Sequence, residues 1–546
     1  MRMKFRMLSV SIALLLLLSL SAAGSRAADK PSKAMPQATP EFIEKGKKIY
    51  FKRCSFCHGL LGDGNGPAAD FMDPRPRDFT LGTFKFRTTQ SGELPTNEDL
   101  FRVVSRGLSG TGMQAFDNEL IKSGLTEDER WQVISYVKTF AQEFANPDFD
   151  PYKKVIKLPS SKVSYSAESV EKGKEVFKKA KCWECHGMLG RGDGQKSFDR
   201  KDDWGFPIRI RNVTLPWKIK SGTEVEDIFM RFSTGINGTP MPSFADTLSE
   251  EERWYLANFI KSLQVKPSDN TVLKAKLVKE EIPLDPGAKV WGISEPIGIR
   301  MAGQVVAAPR WQNPSIEMVS VRSVFNDKEI GFLLEWDDPF KDVKHNDAAE
   351  FNAKDIMNPG AYNSYVAANN MITRQLETFR DSVALQFPVS MKEGTKKPHF
   401  FRGGGNDPVN LWVWKADLFG EGKPAAEEGG ARGFKQPVKA QAPEEQQVSS
   451  GAVWKEGRWS VVMKRPLVTN DKGDVQFEKG KFIPIAANAW DGSNGEHGNI
   501  MSLSSWHFVF LEAPTPAKVY AYAGFGVVFA GLFEFWLVRR NGRRKA

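Results

Sequence analysis

All four cysteines of the chain fall in two C-x-x-C-H units, at residues 54–58 and 182–186. Two thiols three positions apart at the start of a helix can form thioether bonds to the two vinyl groups of one haem, while the next residue offers an imidazole to its iron. A structural zinc site would need both pairs to share one metal, and the 128-residue period from Cys54 to Cys182 argues against that, because each pair brings its own haem context. The sequence therefore predicts two covalently bound haems c, attached through Cys54, Cys57, Cys182 and Cys185.

The axial ligands of the two irons are predicted from the same repeat. His58 and His186 complete the C-x-x-C-H units, and Met113 and Met241 each stand 55 residues after their histidine in similar Gly-rich segments. A lone methionine on a loop is usually packing, but a haem that moves electrons needs a second ligand, and thioether sulfur raises its potential. The recurrence predicts His58 with Met113 and His186 with Met241.

Helices must position these residues in both copies. Matching segments at 44–47 and 171–174 begin a short amphipathic helix that leads into the cysteines. A second helix closes each copy, with Thr126 or Ser249 placed as its N-cap and acidic residues at the positive end of its dipole. We expect the aromatic face of this closing helix to pack on the first helix of its own domain.

These repeated motifs resemble the class I cytochrome c family from about Ala38 to Gln264. The resemblance implies two all-α domains, at residues 38–147 and 165–266, with the cysteine, histidine and methionine roles given above. Arg77 and Arg211 occupy matching positions in an arginine-rich segment of each copy, and an arginine near a haem often pairs with a propionate. An ordinary surface role is the default for both.

After residue 267 the helical pattern gives way to short runs of alternating apolar residues, such as 320–325, 330–336 and 409–414. Such runs predict the strands of an all-β sandwich. The Gly-, Ala-, Glu- and Pro-rich stretch 420–450 is expected to be a long surface insertion.

Several segments of this region resemble the haem-b-binding gamma subunit of the ethylbenzene dehydrogenase type, over residues 283–512. They are 332–338, 380–388, 407–417 and 489–492. In that family a methionine and a lysine hold one haem b, but this chain has His399 and Met501 near the corresponding places. His399 with Met501 could bind a haem b, or the sandwich could lack haem.

The two ends of the chain predict export and anchoring. Residues 1–27 have the layout of a secretory signal peptide. Residues 518–538 have about the length and apolarity of a transmembrane helix, and the basic tail 539–546 predicts a cytoplasmic C-terminus. These features predict a single-pass protein of the cytoplasmic membrane with its bulk in the periplasm. Part of the formal charge of +10 lies in the leader and tail, so nucleic-acid binding is a weak hypothesis.

No catalytic constellation is evident in the sequence, so we expect an electron-transfer subunit rather than an enzyme. The domain order resembles the gamma subunit of nitrite oxidoreductase, a molybdenum enzyme. This implies a separate molybdenum catalytic subunit, an iron-sulfur subunit, and a soluble cytochrome c or respiratory-chain acceptor as partners. Two alternatives remain at this point: a free-standing cytochrome that serves several donors, and an enzyme acting at an open haem position.

Overall fold

The computed structural model describes residues 31–542 except 73, 118–122, 198–199, 207, 267–269, 308–309, 312–313, 346–378, 391–396, 435 and 513–516. The predicted signal peptide lies outside the described residues.

The first domain is built from four helices: α1 (Pro40–Arg53), α2 (Ser55–His58), α3 (Asn97–Arg106) and α4 (Glu127–Lys138). Thr126 is the N-cap of helix α4, as predicted, and it forms a capping box with Glu129. It packs closely on α1, since a Cβ at Gly46 would lie 1.9 Å from the Gln132 carbonyl oxygen. Only glycine allows the two backbones to approach in this way.

The second domain repeats this arrangement with α5 (Ala167–Lys179), α6 (Trp183–His186), α7 (Val225–Thr234) and α8 (Glu250–Leu263). Ser249 and Glu252 form the capping box of α8. Gly173 on α5 takes the place of Gly46, because its Cβ would lie 2.0 Å from the Tyr255 carbonyl oxygen. Two all-α domains with the same helix order confirm the predicted repeat.

The third domain is β-rich. Its strands are β1 (Val272–Leu277), β2 (Ile297–Arg300), β3 (Ala302–Gly303), β4 (Met318–Phe325), β5 (Glu329–Asp337), β6 (Ser382–Pro388), β7 (Val409–Lys415), β8 (Ala426–Ala431), β9 (Lys439–Ala440), β10 (Ser449–Trp454), β11 (Arg458–Pro466), β12 (Phe482–Trp490), β13 (Ser502–Leu503) and β14 (His507–Leu511). A short helix, α9 (Ala416–Gly420), joins β7 to β8.

The strands form two faces that β1 connects. One face has the order β10-β11-β5-β4 and the other β14-β12-β6-β7-β8-β9, with β1 pairing in parallel with both β4 and β14. The core lies between these faces, where the Phe332 ring of β5 is 5.7 Å from the Trp412 ring of β7. Trp459 of β11 is likewise 4.8 Å from Trp414 of β7. This face-to-face packing is that of a β-sandwich.

The prediction of a surface insertion at 420–450 is wrong for residues 426–431, 439–440 and 449–450, which belong to strands of the sheet. Strand β8 pairs with β7 along its whole length, and β10 pairs with β11. Within β8, the fully buried Glu428 carboxylate pairs with the Arg465 guanidinium at 2.7 Å. A buried ion pair overrides the low strand propensity of a Gly- and Glu-rich segment.

The chain ends in a long helix, α10 (Ala517–Gly542), over the segment predicted to be transmembrane. Within the described part of the chain, however, no helix combines the length and apolarity needed to cross a membrane. The predicted transmembrane helix is therefore not supported.

Candidate haem sites

In the first domain, the residues predicted to hold a haem line one cavity. Cys54 is the C-cap residue of helix α1, and helix α2 carries Cys57 and His58. The break between the two helices therefore lies between the two thiols. The loop after α3 brings Met113 to the same cavity, which has a volume of about 360 Å³. Its remaining walls are mainly apolar, including Phe79 and aliphatic residues of α3 and α4. The cavity thus unites all four predicted residues in surroundings suited to a large, largely apolar cofactor.

The ring of His58 is held in a fixed orientation. Its Nδ1 lies 3.0 Å from the carbonyl oxygen of Arg77, and Phe79 stacks on the ring at 4.4 Å. Because a carbonyl only accepts, Nδ1 carries the proton and Nε2 presents a lone pair. Burial also lowers the pKa of His58, which favours the neutral imidazole that binds metals. This is the outer hydrogen bond that metal-bound histidines commonly make.

Met113 is placed by a compact loop. Its carbonyl oxygen accepts from Leu108 N at 2.9 Å, and its amide donates to Thr111 Oγ1 at 3.1 Å. Gly107 begins the loop at φ +65°, where a Cβ would lie 2.5 Å from the Met113 carbonyl oxygen. The glycine at this position therefore allows the tight loop that places Met113 at the cavity.

The second domain reproduces both supports. His186 Nδ1 lies 3.1 Å from the carbonyl oxygen of Arg211, and burial lowers the pKa of His186 as well. Ile236 N donates to the Met241 carbonyl oxygen at 3.1 Å, and the Met241 amide donates to Thr239 Oγ1 at 3.3 Å. The geometry of the first site thus recurs around His186 and Met241.

The cysteines do not form a metal cluster of their own. Among the described residues, the group of three or more His, Cys, Asp or Glu side chains with converging ligand atoms is an aspartate cluster in the β-domain. Burial raises the pKa of Cys54 and of Cys182 to about 12. A zinc site shared by the two C-x-x-C pairs does not fit this arrangement.

The two residues considered for haem b do not fit that role. The Met501 side chain is fully buried, closed in by apolar neighbours such as Phe401 and Leu503. His399 is exposed, and its Nδ1 accepts from the Phe401 amide. An axial pair must face one open cofactor cavity from both sides. His399 and Met501 therefore do not form an axial pair for a haem b.

The arginines considered as propionate partners make contacts between domains. The Arg77 guanidinium lies 4.0 Å from the centre of the Trp204 ring in the second domain. Arg211 lies 3.5 Å from the Glu317 carboxylate of the β-domain. Their positions in the sequence repeat match, but their partners do not.

The sequence did not point to the aspartate cluster. Asp338, Asp342, Asp381 and Asp491 are all buried, and one carboxylate oxygen from each lies within 4.8 Å of the others. Burial, followed by the neighbouring carboxylates, raises the pKa of Asp381 well above its usual value. Three of the four lie in the segments that carry the resemblance to the gamma subunit, but strand patterns alone could not show that they converge.

Comparison with known protein families divides the chain in the same way. Residues 43–141 and 170–264 match the family model of cytochrome c. Residues 288–433 and 434–502 match the family model of ethylbenzene dehydrogenase.

Individual relatives cover parts of the chain. A Haloferax mediterranei protein named as a respiratory nitrate reductase heme subunit is 24% identical over 278 residues, which cover 50% of this chain and 86% of that protein. The chlorate reductase gamma subunit of Ideonella dechloratans is 28% identical over 135 residues, or 25% of this chain and 52% of the subunit. A solved chain of the Kuenenia stuttgartiensis reducing HAO-like protein complex is 41% identical, over 41% of this chain and 96% of that chain, with a TM-score of 0.38. The match thus spans only about half the length of the chlorate reductase subunit.

Proposed function

We propose that this chain, which belongs to the cytochrome c family through its two helical domains and to the ethylbenzene dehydrogenase family through its β-domain, is the electron-transfer subunit of a respiratory molybdenum enzyme. The observation that carries the proposal is the repeated ligand geometry. In each helical domain the histidine Nδ1 is held by a backbone carbonyl and the methionine by a Gly-rich loop.

In this proposal Cys54, Cys57, Cys182 and Cys185 attach two haems c. His58 with Met113 and His186 with Met241 hold their irons. Haem supplies a one-electron couple when bound. The two His/Met pairs would hold the irons, and the apolar side chains that line the first cavity would keep water and substrate away. Such a site favours electron transfer over catalysis at an open haem.

The contacts between domains support a linear arrangement. The second domain touches the first through Arg77 and Trp204, and it touches the β-domain through Arg191 and Asp337, which lie 3.2 Å apart. Electrons would then pass between the two helical domains, while the β-domain docks the chain onto its complex. The catalytic chemistry would occur in a separate molybdenum subunit that passes electrons through an iron-sulfur subunit.

We propose nitrite oxidoreductase as the parent complex, acting in the periplasm with a soluble cytochrome c or a respiratory-chain component as acceptor. The domain order supports this assignment, as do relatives named for nitrate and chlorate chemistry.

Purification of the tagged chain from its native cells tests the proposal. We expect a large molybdenum-containing subunit to co-purify, and nitrite to reduce the haems of this chain within the complex. A chain that purifies alone and exchanges electrons with several donors would instead be a free-standing cytochrome. Reduction by another substrate, with nitrite inert, would overturn only the choice of nitrite.

A further inference from the structure

A second cavity, of about 220 Å³, lies between the two helical domains. The first domain contributes the end of α3 and the start of its methionine loop, and the second contributes α7 and the loop before it. We call it the interdomain cavity. Five basic side chains line it: Arg87, Arg102, Arg106, Lys220 and Arg231. Lys220 also lines the first haem cavity, and the other four do not.

Arg87 is only 1% exposed, and one of its three guanidinium nitrogens makes no hydrogen bond. Its Nε donates to the Gln90 carbonyl oxygen at 3.1 Å and its Nη2 to the Thr234 carbonyl oxygen at 2.8 Å. Its Nη1 is buried without a hydrogen-bond partner. Both acceptors are neutral, so the charge of Arg87 is not compensated by these bonds.

Arg231 faces the same cavity from the second domain. Its Nη2 donates to the Arg87 carbonyl oxygen at 2.8 Å, which ties the two arginines together across the interface. Its Nε and Nη1 are buried without hydrogen-bond partners. Burial lowers the pKa of Arg87 and of Arg231 to about 10, so both remain cations at neutral pH.

The acidic side chains nearby do not accept from the open N–H groups of Arg87 and Arg231. Asp99 is the one carboxylate among the residues lining the cavity. Its Oδ2 already accepts from the amides of Thr88 and Thr96. Asp227 lies near enough to interact with Arg102, Arg106 and Arg231. Asp99 Oδ1 lies 3.7 Å from the Arg102 guanidinium, and Glu93 interacts with Arg87. Even so, Arg87 Nη1 and Arg231 Nε and Nη1 are left without acceptors.

We propose that the interdomain cavity binds an oxyanion group. Buried guanidinium N–H groups are costly when unpaired, and their planar fork matches the oxygens of phosphate or carboxylate. The group could be a free inorganic oxyanion or a propionate of the haem in the neighbouring cavity. Phe86, Val103, Leu108 and Lys220 line both cavities, so the two are adjacent.

An anion here would have two consequences. It would neutralise the repulsion between Arg87 and Arg231 and so stabilise the contact between the helical domains. Its negative charge beside the first haem site would also favour the oxidised haem. Electron transfer through the first domain would then respond to occupancy of the cavity.

Calorimetric titration of the full-length haem-loaded protein with inorganic phosphate, in a chloride buffer, tests the proposal. If the oxyanion is a free inorganic ion, we expect one phosphate to bind to the wild type. Its affinity should fall by about tenfold or more in Arg231→Gln and Arg102→Gln. Arg102 is 41% exposed, so its substitution should leave the fold intact. Arg432→Gln, at an exposed arginine of the β-domain, should bind phosphate like the wild type.

Redox titration of the same variants tests whether the oxyanion is instead a propionate of the neighbouring haem. If a propionate fills the cavity, phosphate will not bind, but Arg102→Gln and Arg231→Gln will shift the potential of one haem while Arg432→Gln shifts neither. The proposal fails if phosphate does not bind and the cavity variants keep both wild-type potentials. It also fails if phosphate binds equally to the wild type and to both cavity variants.

Discussion

The two helical domains share their interior but not their surroundings. In the first, the Phe101 and Trp131 rings are 4.4 Å apart, and Arg130 lies over Phe101 and bonds Ser105. In the second, the Phe229 and Trp254 rings are 4.1 Å apart, and Arg253 lies over Phe229 and bonds Ser233. These contacts position α3 on α4 and α7 on α8 in the same way.

The outward-facing residues differ at matching positions. Arg75 and Arg77 of the first domain lie over Phe206 and Trp204 of the second. Their counterparts, Arg209 and Arg211, instead bond Asn494 and Glu317 of the β-domain. One arginine-rich segment thus serves two different interfaces. The repeat keeps the hydrogen bonds that hold the histidine and the methionine, and the partner of the arginine-rich segment changes, so the second domain contacts both of the others.

Removing one axial methionine should have the largest effect. Met113→Ala and Met241→Ala should each open one iron coordination position, converting one of two haems to high spin and lowering its potential. Electron paramagnetic resonance of the oxidised proteins measures this. Met188→Ala is the control, because that side chain is 53% exposed. A low-spin spectrum like that of the wild type would remove that methionine from the ligand set.

Filling the helix crossing should have the next largest effect, and a similar one in both domains. Gly46→Ala and Gly173→Ala place a Cβ within about 2 Å of a backbone oxygen, so each should cost about 3 kcal/mol. Thermal unfolding followed by haem absorption measures the loss. Gly404→Ala, with no atom within 4 Å of its Cβ, should cost little. Loss in only one domain would show that the two crossings are not equivalent.

The interfaces should respond to different substitutions. Arg191 pairs with Asp337 and donates to the Glu456 carbonyl oxygen at 2.9 Å. Arg191→Ala should therefore weaken docking of the second domain on the β-domain by about 1 to 2 kcal/mol. Hydrogen exchange at 456–458 would report the loss. Asp63→Ala, at the equivalent position of the first domain, should leave that exchange unchanged, and equal effects would contradict the proposed asymmetry.

The smallest effect should be a pH dependence confined to the β-domain side. Burial, then the charge of Asp491, raises the pKa of Glu496 from 4.5 to about 7. The pKa of Glu496 is higher in the folded state than in the unfolded state. The contribution of Glu496 to the free energy of unfolding is therefore fully present below about pH 4.5 and is lost as pH rises through 7. Stability should fall by about 1 kcal/mol between pH 6 and 8.

Glu496 accepts from Asn494, the residue that Arg209 reaches from the second domain. The pH effect should therefore appear in chemical unfolding of the β-domain and become shallower in Glu496→Gln, with the buried aspartates such as Asp381 keeping the remainder. Glu444→Gln, at an exposed position, should keep the wild-type slope. An unchanged slope in Glu496→Gln would assign the pH dependence to other groups.

The sequence predicted what local spacing determines. The C-x-x-C-H units, the methionines 55 residues later and the caps at Thr126 and Ser249 depend on short stretches repeated twice, and repetition distinguishes them from chance. The β-rich domain followed from alternating apolar residues.

Contacts between residues far apart in the chain could not be predicted from the sequence. Strand β8 depends on the Glu428 to Arg465 pair, whose partners are 37 residues apart. The interdomain cavity gathers basic residues from two domains, and neither segment is unusual alone. His399 and Met501 were paired by their positions relative to a related family, but their burial separates them. Charge and burial across domains decide these features, and local pattern does not record them.

Haem content measured by the pyridine haemochrome method tests the central claim most directly. We predict two haems c per chain in the wild type, and one each in the double variants Cys54→Ser/Cys57→Ser and Cys182→Ser/Cys185→Ser. Each variant should keep the haem of the unaltered domain, because the two cysteines, the histidine and the methionine of each site come from one repeat. Fewer than two haems c in the wild type, or loss of both haems in either variant, would contradict the account.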